Sequence, residues 1–257
     1  MRRFAMICLP YLWLVALFLV PFLIVFKISL SDIDLAIPPY TPRLDFNAGW
    51  QGFLRFWAAL DFENYVFLTS DDLYWKAYLS SLRIAFISTT LTLLIGYPIA
   101  YGIARANTEW RATLLMLVIL PFWTSFLIRV YAWMGILGTE GLLNQLLLAL
   151  GLIETPLTIL NTNWAVYIGI VYTYLPFMIL PIYASLEKLD NSLLEAAIDL
   201  GCSRLRAFWL ITMPLSKNGV VAGCFLVFIP ALGEFVIPSL LGGSRTLMIG
   251  KVLWEEF

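Results

Sequence analysis

The stretch 190–215, DNSLLEAAIDLGCSRLRAFWLITMPL, decides how the whole chain is read. It is a polar-containing interruption late in a very apolar sequence, and its residues predict two short helices joined by a bend. Ser192 with Glu195 three residues on has the spacing of a capping box, which predicts a helix start just before Leu193 and Leu194. Gly201 predicts the stop, because glycine readily takes the left-handed backbone that ends a helix. Ser203 is placed to cap a second helix, which runs through Arg204 and Arg206 towards Pro214. Leu193, Leu194, Ala197 and either Leu200 or Gly201 recur at helical spacing and make an apolar stripe too small to be a core. A solvated connector between two membrane helices accounts for the polarity. A docking knob also accounts for the stripe and for the small Ala196 and Ala197, which let a partner approach the backbone closely.

Composition supports the membrane setting. The chain has 257 residues, 61% hydrophobic and 13% charged, which excludes an ordinary soluble domain. A net charge of −1 argues against a nucleic-acid surface. There is no histidine, and Cys8, Cys202 and Cys224 are scattered singly, so neither a metal site nor a disulfide framework is expected. No glycine-rich phosphate loop occurs, so any ATP and Mg that drive the protein belong on another subunit.

Five apolar stretches are long enough to span a bilayer: 4–28, 79–104, 113–137, 164–186 and 218–241. The first is too long and lacks the cleavage site of a signal peptide, so it reads as an uncleaved span. Residues 29–78 form a polar loop whose Trp50, Phe53, Phe56 and Trp57 predict a small ordered patch at the membrane surface. LLNQLLLALGLI, 142–153, is too short to cross and predicts an interfacial helix. The picture is an all-α polytopic membrane protein, one domain over 1–257, with residues 187–217 as its organising loop.

Orientation follows from the positive residues. With the N-terminus inside, the short inner segments carry Arg2, Arg3, Arg105, Arg111, Lys188, Arg204, Arg206 and Lys217. The much longer outer segments carry Lys27, Arg43, Arg55, Lys76, Arg83, Arg245 and Lys251, so positive density is higher inside. Four crossings from an inside start place 190–217 in the cytoplasm.

The spacing Glu195-Ala196-Ala197, three residues, Gly201, nine residues, Ile211, one residue, Met213-Pro214 resembles the EAA loop of bacterial ATP-binding-cassette importer permeases. Met213 stands where that family usually has Leu. The resemblance implies a type I importer transmembrane domain in the cytoplasmic (inner) membrane. It implies that Glu195, Ala196, Ala197, Asp199, Gly201 and Arg204 dock an ATPase subunit. The implied partners are a second permease in a heterodimer, two ATP-binding-cassette subunits and an external binding protein. Four stretches, PYLWL at 10–14, IPPYT at 37–41, TSFLIRVYAWMGIL at 124–137 and FIPALGEFVIPSLLGG at 228–243, resemble the polyamine branch of the family, most closely its putrescine permease subunit. The family's membrane core ends with a further span. Because 242–257 is polar and short, a sixth span is expected to be missing from the chain.

Glu234 is the carboxylate that lies inside the fifth stretch. An ionisable group there is expensive and should face a cavity or a partner charge. Two readings stand: it lines the path of a cationic amine, or it forms an ion pair with Arg129 of the third stretch. Phe235, Trp123, Tyr131, Trp133 and Tyr174 are aromatic candidates for the same path through cation–π contact, although belts of Trp and Tyr at membrane interfaces account for them too. An ion-coupled secondary transporter acting alone is the alternative function. It calls for internal repeats and several acidic relay groups, neither of which is evident. No residue is expected to be catalytic.

Overall fold

A computed structural model describes residue 8 and residues 10–35, 37–43, 49–244 and 246–256. Arg2, Arg3 and Arg245, used above for orientation, lie outside the described residues. The chain divides into two compact units, Met1–Trp75 and Lys76–Phe257.

The first unit holds α1 (Pro10–Ser29), a two-stranded antiparallel ribbon of β1 (Asp32–Ile33) and β2 (Tyr40–Thr41), α2 (Gly49–Ala58) and α3 (Glu63–Ser70). The ribbon is a small departure from an all-helical chain. Trp50, Phe53, Phe56 and Trp57 all fall on α2, where Trp50 stacks on Phe53 at 5.3 Å between ring centroids. Lys27 places its ammonium 3.6 Å from the centroid of the Tyr40 ring.

Next come α4 (Asp72–Arg105), α5 (Thr108–Ile119) with a tighter turn Leu120–Trp123, α6 (Phe126–Leu137), α7 (Leu142–Ala149) and α8 (Asn163–Glu187). They are followed by α9 (Asn191–Asp199), α10 (Arg204–Leu215), α11 (Lys217–Leu232), α12 (Val236–Leu240) and α13 (Ile249–Glu256). Among the described residues, four runs are long and apolar enough to cross a membrane: α1, α4, α6 with α7, and α8. A fifth is available if α10 and α11, which meet at a 63° bend, act as one broken span.

Three helix boundaries differ from the sequence reading. The stretch 113–137 is not one helix. It breaks at Thr124, whose backbone is extended and whose hydroxyl donates to the Pro121 carbonyl at 2.8 Å, and the membrane-length run is instead Phe126–Ala149. The stretch 218–241 also breaks, at Gly233–Phe235, between α11 and α12. Pro238 explains the position: within a continuous helix its ring would clash with the carbonyl four residues back, that of Glu234. Finally, 242–257, read as too polar and short to cross, contains α13, which buries Lys251 and Val252.

The second unit is built around α8, which borders both apolar clusters. One cluster gathers Ile84, Val130, Leu137, Ile170, Ile237 and Met248; the other gathers Tyr97, Ile103, Met178, Ile182, Tyr183 and Val227. Helices in lipid gain little from excluding water and associate through close van der Waals contact, which small residues permit. The α8–α11 contact shows this. A Cβ on Gly219 would lie 2.5 Å from the Pro181 carbonyl oxygen, and one on Gly223 would lie 2.8 Å from Met178 Sδ.

Candidate functional site

Two places carry the residues singled out above. The first is the α9–α10 knob. Its cap differs from the capping box read at Ser192. Asp190 is the residue that caps, its Oδ1 accepting the Ser192 amide at 2.9 Å. That bond holds the exposed Asp190 carboxyl below its ordinary range, because the amide favours the charged form. Glu195 is exposed and free to face a partner. At the other end Gly201 has φ +83°, Cys202 donates to the Ala197 carbonyl at 2.9 Å and Gly201 donates to the Ile198 carbonyl at 2.8 Å. These two bonds make a Schellman ending.

Ser203 then caps α10, accepting the Arg206 amide at 3.4 Å. α10 contains a wide turn over Phe208–Thr212, which seats Phe208 edge-on to Tyr97 and Tyr101 of α4. Tyr97 and Ser216 share a buried 2.8 Å hydrogen bond between their hydroxyls. The knob is thereby tied to a membrane-length helix at its base while its tip stays open. Ala196, Asp199, Gly201 and Arg204 are exposed, Ala197 is half-buried, and Leu200 and Leu205 present 89% and 71% of their surface.

The second place is the break between α11 and α12. Glu234 is buried, and its carboxylate is fully engaged. Oε2 accepts the Tyr174 hydroxyl at 2.6 Å, and Oε1 accepts the Val236 and Ile237 amides at 3.1 and 3.4 Å. Those amides open α12, so the charge meets donors that the short helix cannot satisfy internally.

The ion pair between Arg129 and Glu234, one of the two readings given for that carboxylate, is not formed among the described residues. A row of rings separates them: the Arg129 guanidinium lies 5.5 Å from the Phe122 centroid, Phe122 meets Phe177 at 5.2 Å, and Phe177 meets Tyr174 at 6.1 Å. The hydroxyl and amides serve Glu234 in place of the guanidinium.

Of the aromatic candidates, Tyr174 and Phe235 join the Glu234 site. Trp133 packs edge-on to Tyr172 at 5.4 Å, while Trp123 and Tyr131 are 74% and 56% exposed. The sequence reading missed Trp254 of α13, which stacks on Phe235 with centroids 4.9 Å apart. It lies beside a cavity of about 390 Å³ lined by Phe235, Gly250, Leu253 and Trp254. No local signal announces that contact, because α13 returns to α11 through Gly250, whose added Cβ would meet the Gly233 carbonyl oxygen at 2.5 Å. In the first unit Asp32, Asp61 and Glu63 bring carboxylate oxygens within 4.8 Å of one another, but mostly on the exposed surface.

Residues 3–256 match the family model described as binding-protein-dependent transport system inner membrane component. The chain is 41% identical over 251 residues to a Haemophilus influenzae protein named spermidine/putrescine transport system permease protein PotB, covering 98% of this chain and 82% of that one. It is 48% identical over 195 residues to the protein of the same name from Escherichia coli K12, covering 76% of this chain and 70% of that one. Among solved structures, a bacterial ABC transporter involved in the import of the acidic polysaccharide alginate matches with TM-score 0.62 at 18% identity, covering 99% of this chain and 80% of that one. The fold is that of an ABC importer permease of type I.

Proposed function

The chain belongs to the family of binding-protein-dependent transport system inner membrane components, and from that premise we propose that it is the permease subunit of an ATP-driven polyamine importer, with putrescine as substrate. One observation carries the polyamine part: nearly the whole chain is similar to proteins named as spermidine/putrescine permeases. On this reading a partner permease completes the passage, two cytoplasmic ATPase subunits hold ATP and Mg, and an external binding protein delivers the amine. The N-terminus is cytoplasmic, which puts the α9–α10 knob on the side of the ATPase.

The geometry supports a division of labour. Exposed Leu200 and Leu205 beside Glu195 and Arg204 offer an apolar contact with charged edges, suited to a cleft in the ATPase. Glu234 supplies a buried carboxylate at a helix break, with the Phe235 and Trp254 rings alongside. A dehydrated ammonium needs such groups to replace its water.

The test is uptake of labelled putrescine and spermidine into proteoliposomes holding the chain, its partner permease and the ATPase, with binding protein supplied outside. ATP-dependent accumulation is the expected result. Accumulation by this chain alone under an ion gradient, without ATP, would establish the secondary transporter instead.

A further inference from the structure

Arg129 is a cation in a membrane-length helix that meets no anion among the described residues. Among the described residues its guanidinium makes no hydrogen bond and no ion pair, and its Nε is buried with no partner. Two rings, Phe122 at 5.5 Å and Phe126 at 5.9 Å, flank it and supply only cation–π attraction. The chain's buried carboxylate in this region, Glu234, is already held by Tyr174 and the two amides of α12. A charge left in this state in lipid is costly, so such groups pair or face water.

The position of Arg129 on α6 says where the missing charge comes from. Val130 and Leu137 face the core, and Trp133 is partly covered. The opposite side, with Ile128, Tyr131, Ala132 and Gly135, is exposed. Arg129 stands at the border between the two, next to Ala132 one turn on. Ala132 and Gly135 leave that flank low, and nothing lies within 4 Å of a Cβ placed on Gly135. A second helix can therefore come close there, as small residues allow in lipid.

We propose that Arg129 pairs with a membrane-embedded carboxylate of the partner permease, and that the exposed flank of α6 is a subunit contact. The inference rests on the two-permease reading given above. The unpaired guanidinium specifies a complementary acid, and the low, apolar surround specifies a helix as its carrier. Ion pairs of this kind set register and partner choice between helices as well as affinity.

The test uses the complete transporter extracted in mild detergent through a tag on this chain, with partner permease quantified in the eluate. Wild type is expected to bring down the partner in equal amount. If wild type brings down none, the two-permease reading fails and this contact with it. Arg129→Glu should lower the recovered partner at least tenfold while the tagged chain stays at wild-type level in the membrane, and Arg129→Lys should retain most of it. An Asp or Glu to Lys change in the partner that restores recovery with Arg129→Glu would identify the acid. A photo-crosslinking residue at Ala132, which keeps Arg129 intact, should form an adduct with the partner permease. Full partner recovery with Arg129→Glu overturns the proposal. So does an Ala132 adduct containing phospholipid and no protein, which would assign the charge to a lipid phosphate.

Discussion

Tyr174 donates its hydroxyl to Oε2 of Glu234 at 2.6 Å across 60 residues of sequence, and this bond joins α8 to the break after α11. It leaves Glu234 buried and positioned without the Arg129 pair. Glu234→Gln keeps volume and one acceptor but loses the charge. A hydrogen bond to a charged group is worth about 1.5–3 kcal/mol, so uptake should fall by about ten- to a hundredfold with assembly retained. Adding Arg129→Gln should not restore uptake, because the two groups do not pair. Uptake and subunit recovery measured for both singles and the double decide the matter: recovery in the double variant would reinstate the ion pair. Tyr174→Phe removes one of three donors and should cost uptake less than Glu234→Gln.

The α8–α11 contact has no room for side chains at two positions. Gly223→Leu would drive atoms into Met178, whose Sδ is already 2.8 Å from a bare Cβ. Overpacking costs about 1–3 kcal/mol and more where backbone must move, so the thermal midpoint in detergent should drop by several degrees or the chain should fail to accumulate. Gly102→Ala is the control, since a Cβ there meets nothing within 4 Å, and its midpoint should match wild type.

Coupling should depend on the turn at Gly201 and on the exposed face of α9. With φ +83° at residue 201, Gly201→Leu forces a left-handed backbone costing about 1–2 kcal/mol. Substrate-stimulated ATP hydrolysis should be lost at normal membrane levels, and wild-type transport would remove the knob from the coupling route. Glu195→Lys now reads docking alone, because Asp190 supplies the cap.

The cap itself has a defined pH sense. The Ser192 amide depresses the Asp190 carboxyl, so its contribution is present above the ordinary aspartate range and is lost only as pH falls through the lowered folded value. The cap's contribution should therefore not vary with pH around neutrality, and Asp190→Asn, whose amide oxygen accepts the same bond, should behave like wild type in ATPase assays there. A neutral-pH defect in Asp190→Asn would show that the charge does more than cap.

Topology can be read through Cys202, which is partly exposed at the end of α9. In a variant with Cys8 and Cys224 replaced by Ser, a membrane-impermeant thiol reagent should label Cys202 in inside-out vesicles and not in intact cells. Labelling in intact cells would reverse the orientation of the whole chain.

The membrane class, the membrane-length runs at α4 and α8, and the bend at Gly201 were legible from residues alone. Apolar run length, and a glycine placed to accept positive φ, act over a single turn or a single helix. What required the tertiary structure is the wiring between distant segments. Pro238 breaks the fifth stretch and turns Glu234 towards the amides of α12, and only packing on α8 then decides that Tyr174, rather than Arg129, meets the carboxylate. The stack of Phe235 on Trp254 depends in the same way on Gly250 letting α13 come back against Gly233. Such contacts are set by close fit between surfaces far apart in sequence, where geometry alone selects one partner among several of similar chemistry.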